Sequence, residues 1–218
     1  AVVESITTLP TEVGEDELYM VVKRTINSVT KRYVERMAGR LVNDVVNAFF
    51  VDSGLTYDGS PVSEVVGLHH LEGESLVALC DGNVIRGLSV VDGAVSLPGS
   101  FSKVQIGLPY ESDVETLPID LGSVEGLGAT QGRLKRLPQV VVRLKDTRGI
   151  FYGPDENSLI EYKQRAGEPL GSPISLKTGD IKVSISAKWD RNGQLYFRQS
   201  DPLPMTILAI IPQVTLGG

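Results

Sequence analysis

The sequence is poor in the residues that carry most protein chemistry. Its 218 residues include one cysteine, one tryptophan and two histidines. A lone Cys80 cannot form an intrachain disulfide, and one thiol is too few ligands for a zinc site. No apolar run reaches the roughly 18 residues that a transmembrane helix needs. The N-terminus AVVESITTLP has no basic stretch leading into an apolar one, so no signal peptide is evident. Dense blocks of Lys and Arg are also missing, and the formal net charge is −6. That argues against a high-affinity, salt-dependent grip on DNA, which needs many cations to displace counterions. It leaves room for a protein that surrounds DNA without holding it. Alanine in place of methionine at position 1 reads as a piece processed or excised from a longer chain.

Glycine and proline, by contrast, are plentiful and cut the chain into short β-type runs. A chain of this length buries one large core or two to three small ones. Residues 3–8 read as a strand. Residues 18–24 and 31–37 read as a hairpin turning at Asn27-Ser28, with Arg32, Val34 and Arg36 on one wet or partner-facing side. Residues 38–48 have the best helical spacing in the chain, at Leu41, Val45 and Val46. A strand stub follows at 49–51. The turn signals at 52–54 and 57–61 then suggest a connection between modules. From 62 to 100, apolar runs alternate with Asp81-Gly82 and Asp92-Gly93, two-residue turn types that favour φ > 0. This rhythm fits a small antiparallel barrel of about five strands.

Residues 102–116 read as the opening strand of the last sheet, interrupted by Pro109. Beyond it 138–145 and 180–188 are strands, the second with Ile181, Val183, Ile185 and Ala187 facing a core. Asn192-Gly193 signals a hairpin into 194–198. Residues 205–211 are apolar throughout, which predicts a central strand covered on both faces. The predicted fold is mostly β. A β-hairpin-containing segment (1–60) precedes a small β-barrel-like module (61–103) and an antiparallel β-sandwich with long loop insertions (104–218).

The residues that could carry chemistry are few. Cys80 reads as a small buried strand residue. His69 and His70 are adjacent, so on a strand they would face opposite ways. With no third ligand at a recognised spacing, they read as a turn or strand edge rather than a metal site. Gly122, Gly126, Gly128 and Gly132 do not match a phosphate-binding loop, and 119–136 reads as a mobile loop or extended arm. Arg133, Lys135 and Arg136 form the only compact basic cluster. It is too small for DNA binding and at least as well suited to partner docking. Trp189 reads as a core residue. Acidic residues fall in turn-like strings such as Glu15-Asp16-Glu17 and Asp155-Glu156. No catalytic, cofactor-binding or metal-ligating residue is assigned, and no cofactor is expected.

Six phrases carry a resemblance: GEDELYMVVKRTINSVTKRYVERM (14–37), FFVDSGLTYDG (49–59), LHHLEGESLVALCDG (68–82), VQIGLPYESDVETLPID (104–120), GATQGRLKR (128–136) and RQSDPLPMTILAIIPQV (198–214). In this order they resemble the C-terminal region of the tail nozzle, or tail tubular protein B-like, virion proteins of short-tailed bacteriophages and prophages. The second module also looks like the small β domain named from ubiquitin-activating enzymes, a structural likeness only. The resemblance implies a non-enzymatic structural component of the virion tail, made in the host bacterial cytoplasm. Such a protein would sit below portal and adaptor rings and contact other tail proteins. It would form a homo-oligomeric ring, a hexamer by family expectation, through which DNA passes without sequence-specific binding. Family members carry a large N-terminal region upstream of this part. Net negative charge suits a channel along which DNA slides, because a cationic wall would hold phosphates.

Two readings of other classes stand beside it. One is a carbohydrate- or receptor-binding β module at the virion tail, which calls for exposed aromatics. The other is a glycan hydrolase, which calls for two carboxylates across a cleft or a triad built on His69 or His70.

Overall fold

A computed structural model describes residues 1–11, 16–39, 42, 44–124, 128–164, 167–169, 172–186 and 188–217. The chain is mostly β, as expected, and divides into two compact units. The first comprises Ala1–Tyr110 with Pro169–Ile174, the second Glu111–Glu168 with Ser175–Gly218.

The first unit holds two antiparallel sheets. Strands β1 (Val2–Leu9), β2 (Glu17–Ile26) and β3 (Val29–Arg36) lie in the order β1-β2-β3. Asn27 and Ser28, at φ 46° and 62°, make the predicted tight turn between β2 and β3. Strands β4 (Asp52–Val66), β5 (Ser75–Cys80), β6 (Asn83–Ser89) and β7 (Ala94–Leu108) lie in the order β4-β7-β5-β6. Here too the two-residue turns hold: Asp81 and Gly82 both have positive φ and join paired Cys80 and Asn83. Leu68, Leu71, Leu76, Ala78, Val104 and Ile106 form the core, with Ile26 of β2 packed against it. The outer strands β4 and β6 do not pair, so no barrel closes among the described residues.

Several expectations change here. Residues 52–61 are not a connection, because β4 runs straight through their turn signals. The register slips between Asp58 and Val62, so Gly59, Ser60 and Pro61 form a bulge; Pro61 is tolerated because β4 is an edge strand. Residues 49–51 are not in a strand. Within 38–48 the only helical element described is the 3-10 turn Val45–Asn47; Leu41 lies outside the described residues. Residues 102–108 belong to β7, which pairs with β4 and β5 in the first unit. From that reading the break at Pro109 holds, and beyond it Ser112–Glu115 is the first strand of the second unit. β4 and β7 also run across the expected limits at 60/61 and 103/104.

The second unit is a two-layer sandwich. Its strands are β8 (Ser112–Glu115), β9 (Ser123–Val124), β10 (Gly128–Ala129), β11 (Lys135–Thr147), β12 (Phe151–Gly153), β13 (Ile160–Glu161), β14 (Lys177–Ser184), β15 (Tyr196–Gln199) and β16 (Thr206–Leu216). One sheet has the order β14-β11-β16 and the other β13-β12-β15-β8; β9 and β10 make a separate ribbon. Val140, Val142 and Leu144 of β11, Ile181 and Val183 of β14, and Phe197 of β15 share the core. Ile181, Val183 and Ile185 are buried as predicted, whereas Ala187 lies outside the described residues.

Two predictions about strand placement fail in this unit. Asn192-Gly193 makes no hairpin: β14 pairs with β11, and β15 pairs with β12 and β8. A two-residue I′ turn needs φ > 0 at both positions, and of this pair only Gly193 has it. The Asp190 carboxylate instead accepts the N–H groups of Arg191, Asn192 and Gly193, and the chain crosses to the other sheet. The apolar run at 205–211 is not central either. β16 is an edge strand whose Leu208 and Ile211 are 57% and 49% exposed.

Candidate functional site

The most connected polar cluster lies in the first unit around Arg24. Strand alternation places Arg24 on the same side of β2 as Val22, and the side chain is 6% exposed. Its Nε and Nη2 donate to the Glu35 carboxylate at 2.7 and 2.8 Å. Nη1 and Nη2 donate to Asp52 at 2.8 and 2.6 Å. Ser53 Oγ donates to Glu35 at 3.2 Å, and His70 Nε2 lies 2.8 Å from the Ser53 carbonyl oxygen. The ring of Tyr33 meets that of His70 edge-on. Glu35, above all, raises the affinity of Arg24 for its proton, against the cost of burial; Asp52 adds to it. A polar cleft of about 460 Å³ opens beside Arg24, Asp52 and Glu74.

This geometry braces β2 and β3 against the start of β4. It offers no acid–base pair, because both carboxylates are committed to one guanidinium through two-pronged contacts. His70 is turned to a backbone carbonyl. His69 packs on the Asp92-Gly93 turn so closely that a Cβ on Gly93 would collide with the imidazole. The Glu72 carboxylate takes the N–H groups of that same turn at 3.0 and 2.8 Å. Both histidines sit in a 3-10 turn, His69–Leu71, in line with the turn reading. Among the described residues, no three His, Cys, Asp or Glu groups are placed to share a metal ion. Cys80 is fully buried, and its surroundings, with Asp81 behind them, push the thiol up to about 12. Such a thiol is inert at neutral pH.

In the second unit, the predicted basic cluster is split. Lys135 is 2% exposed, and its Nζ donates to the carbonyls of Arg191 (2.8 Å) and Arg133 (3.5 Å). Its backbone pairs with Asp190 at 2.6 and 2.9 Å. Lys135 is therefore a structural pin, and only its neighbours face water. Trp189, expected in the core, is 46% exposed. Alternation could not reveal this, because 188–190 lie past the end of β14 and are held by a single bridge to Lys135. The glycines of 119–136 serve a ribbon rather than a phosphate loop. Asp120 accepts the Gly122 N–H, the Thr130 hydroxyl and the Gln131 amide at the ribbon's base. Gly126 lies outside the described residues. A second cleft, of about 330 Å³, is lined by Tyr152, Ser184, Ser186 and Lys188.

No protein-family profile matches the chain, and no curated protein matches it. No helix among the described residues is long and apolar enough to cross a membrane.

Proposed function

We propose that this chain is a structural module of a short-tailed phage tail, part of a nozzle or tail-tube ring around the DNA channel. The observation that carries the assembly half of this reading is the state of its sheet edges. β16 has eleven residues and no charged side chain, yet it is an edge strand with Leu208 and Ile211 turned to solvent. β1 is likewise an edge, exposed along its length, with Val2, Val3, Ile6 and Leu9 uncovered. Lone soluble domains guard such edges with charged side chains, bulges, prolines or short strands, because open backbone and apolar side chains invite another chain. β16 has Pro212 and a register slip at Leu208, and β1 a slip at Glu4, yet both keep their apolar side chains uncovered, as a module built to meet copies of itself or neighbouring tail proteins would. The tail half of the reading rests on the ordered resemblance of the six phrases. Electron microscopy of the purified chain tests it: rings with a central opening are expected, and dispersed single particles at every concentration would count against it.

A second reading, a carbohydrate-binding module at the tail, is favoured by one observation. The chain's single tryptophan is at the surface, where a sugar ring can reach it. Quenching of its fluorescence by glycans tests that reading.

A further inference from the structure

Around Trp189 the second unit presents an aromatic shelf ringed by unpaired cations. Leu134 and Arg136 are exposed while Lys135 and Leu137 between and beyond them are buried, so strand alternation turns the first two to solvent. A Cβ placed on Gly217 would lie 3.3 Å from Cζ3 of Trp189 and 3.1 Å from Cβ of Leu134. The absent side chain lets the indole lie beside Leu134. The shelf is also held from beneath. The paired backbones of Lys135 and Asp190 fix the residue before Asp190, and the Lys135 ammonium ties down the carbonyl of the one after.

The cations around it form no ion pairs. Among the described arginines, only Arg136 and Arg191 have no ionic or hydrogen-bonded partner for their guanidinium. Both lie by Trp189: Arg136 follows the residue paired with Asp190, and Arg191 follows Asp190 itself. The Asp190 carboxylate makes no ion pair with either, since its oxygens accept three backbone N–H groups. Lys188, also exposed and unpaired, precedes the indole and lines the rim of the 330 Å³ cleft.

We propose that this face binds an anionic saccharide. The C–H face of a sugar ring lies on the Trp189 indole, and its carboxylate or phosphate sits between Arg136 and Arg191. This inference rests on the carbohydrate reading above and narrows it to a site and a ligand charge. A guanidinium donates to either oxyanion through paired N–H groups, so uronates and sugar phosphates share the chemistry required. A nucleic-acid strand fits less well. Single-strand binders string several aromatic platforms along a cationic groove, whereas this shelf has one, on a chain of net charge −6.

With one tryptophan in the chain, its fluorescence reports on the site directly. The intact chain is titrated with oligogalacturonate, with mannose 6-phosphate, with neutral galactose oligomers and with oligothymidylate. Saturable quenching by either anionic sugar, and none by the neutral one, is expected. Which of the two acts tells carboxylate from phosphate. The variant R136Q/R191Q should keep the free-protein emission spectrum and bind about tenfold or more weakly. Calorimetry on W189A, which lacks the fluorophore, should show binding lost while far-ultraviolet dichroism is unchanged. Equal binding of neutral and anionic sugars, with R136Q/R191Q unaffected, would overturn the ligand assignment and leave the carbohydrate reading standing. Binding retained in W189A would overturn the site. No saccharide response at all, or tighter binding of oligothymidylate, would overturn both.

Discussion

Arg24 and Lys135 are both withdrawn from water, one in each unit, and they are satisfied in different ways. Arg24 meets two carboxylates, Glu35 and Asp52, and so brings three charges into or near the interior. Lys135 meets only carbonyl dipoles from Arg133 and Arg191. The difference teaches what each interaction does. The Arg24 cluster is a mutual arrangement, in which removing the cation strands two anions with no counter-charge. The Lys135 pin has no charged partner to strand, so its removal relieves a desolvated charge even as it loses two hydrogen bonds.

Breaking the first arrangement should have the largest effect. Arg24→Leu is expected to lower the stability of the first unit by on the order of 2–4 kcal/mol, toward the lower end because Asp52 keeps access to water. Cys80 provides the reading. Buried in that unit's core with a raised thiol pKa, it should resist alkylation at pH 8 in the native protein. Its labelling should then move to lower urea in the variant. The double variant R24L/E35L should recover part of the loss, since it strands one carboxylate instead of two. No recovery would mean that Arg24 acts by packing rather than by charge.

A smaller effect tests the second unit through pH. Glu168 accepts the Ser175 N–H at 2.6 Å and pairs with Arg148 at 2.8 Å. The Ser175 N–H first, and Arg148 after it, hold its carboxyl below the ordinary value of 4.5 while burial opposes them. A depressed folded pKa stabilises the protein above the unfolded value, and the contribution is lost as pH falls through the folded one. Trp189 emission should therefore show acid unfolding that sets in below about pH 4.5, and Glu168→Gln should remove on the order of 1 kcal/mol at pH 7 with a flatter acid limb. An unchanged acid limb in the variant would show that other carboxylates set the transition.

The smallest effect is expected at Lys135. Lys135→Met should change the urea midpoint of the second unit by no more than about 1 kcal/mol of stability. A loss as large as that of Arg24→Leu would erase the contrast between the two cations.

Much of the fold could be read from residue chemistry because the turns announce themselves. Asn27-Ser28, Asp81-Gly82 and Asp92-Gly93 take the positive φ their residue types tolerate, and strands flank the first two pairs as expected. The misreadings come from tertiary context. Asn192-Gly193 has the composition of a hairpin, but Asp190 captured its N–H groups. The proline and glycines of 52–61 were absorbed by bulges, which an edge strand permits. The surface position of Trp189 depends on a bridge between residues far apart in the chain, and neighbours in sequence carry no trace of it. β16 is the most instructive case. Its apolar run over 205–211 predicts cover on both faces, and hydrophobic patterning cannot tell cover within one chain from cover by another. Here the chain supplies only part of that cover, which is why the strand bears on assembly.

The most direct test of the assembly reading is therefore the mass in solution of the wild-type chain and of L208K/I211K, by light scattering across a concentration series. The account predicts a discrete oligomer for the wild type, and a monomer with an unchanged circular dichroism spectrum for the variant. A wild-type chain that stays monomeric throughout, or a variant that assembles equally well, would contradict it.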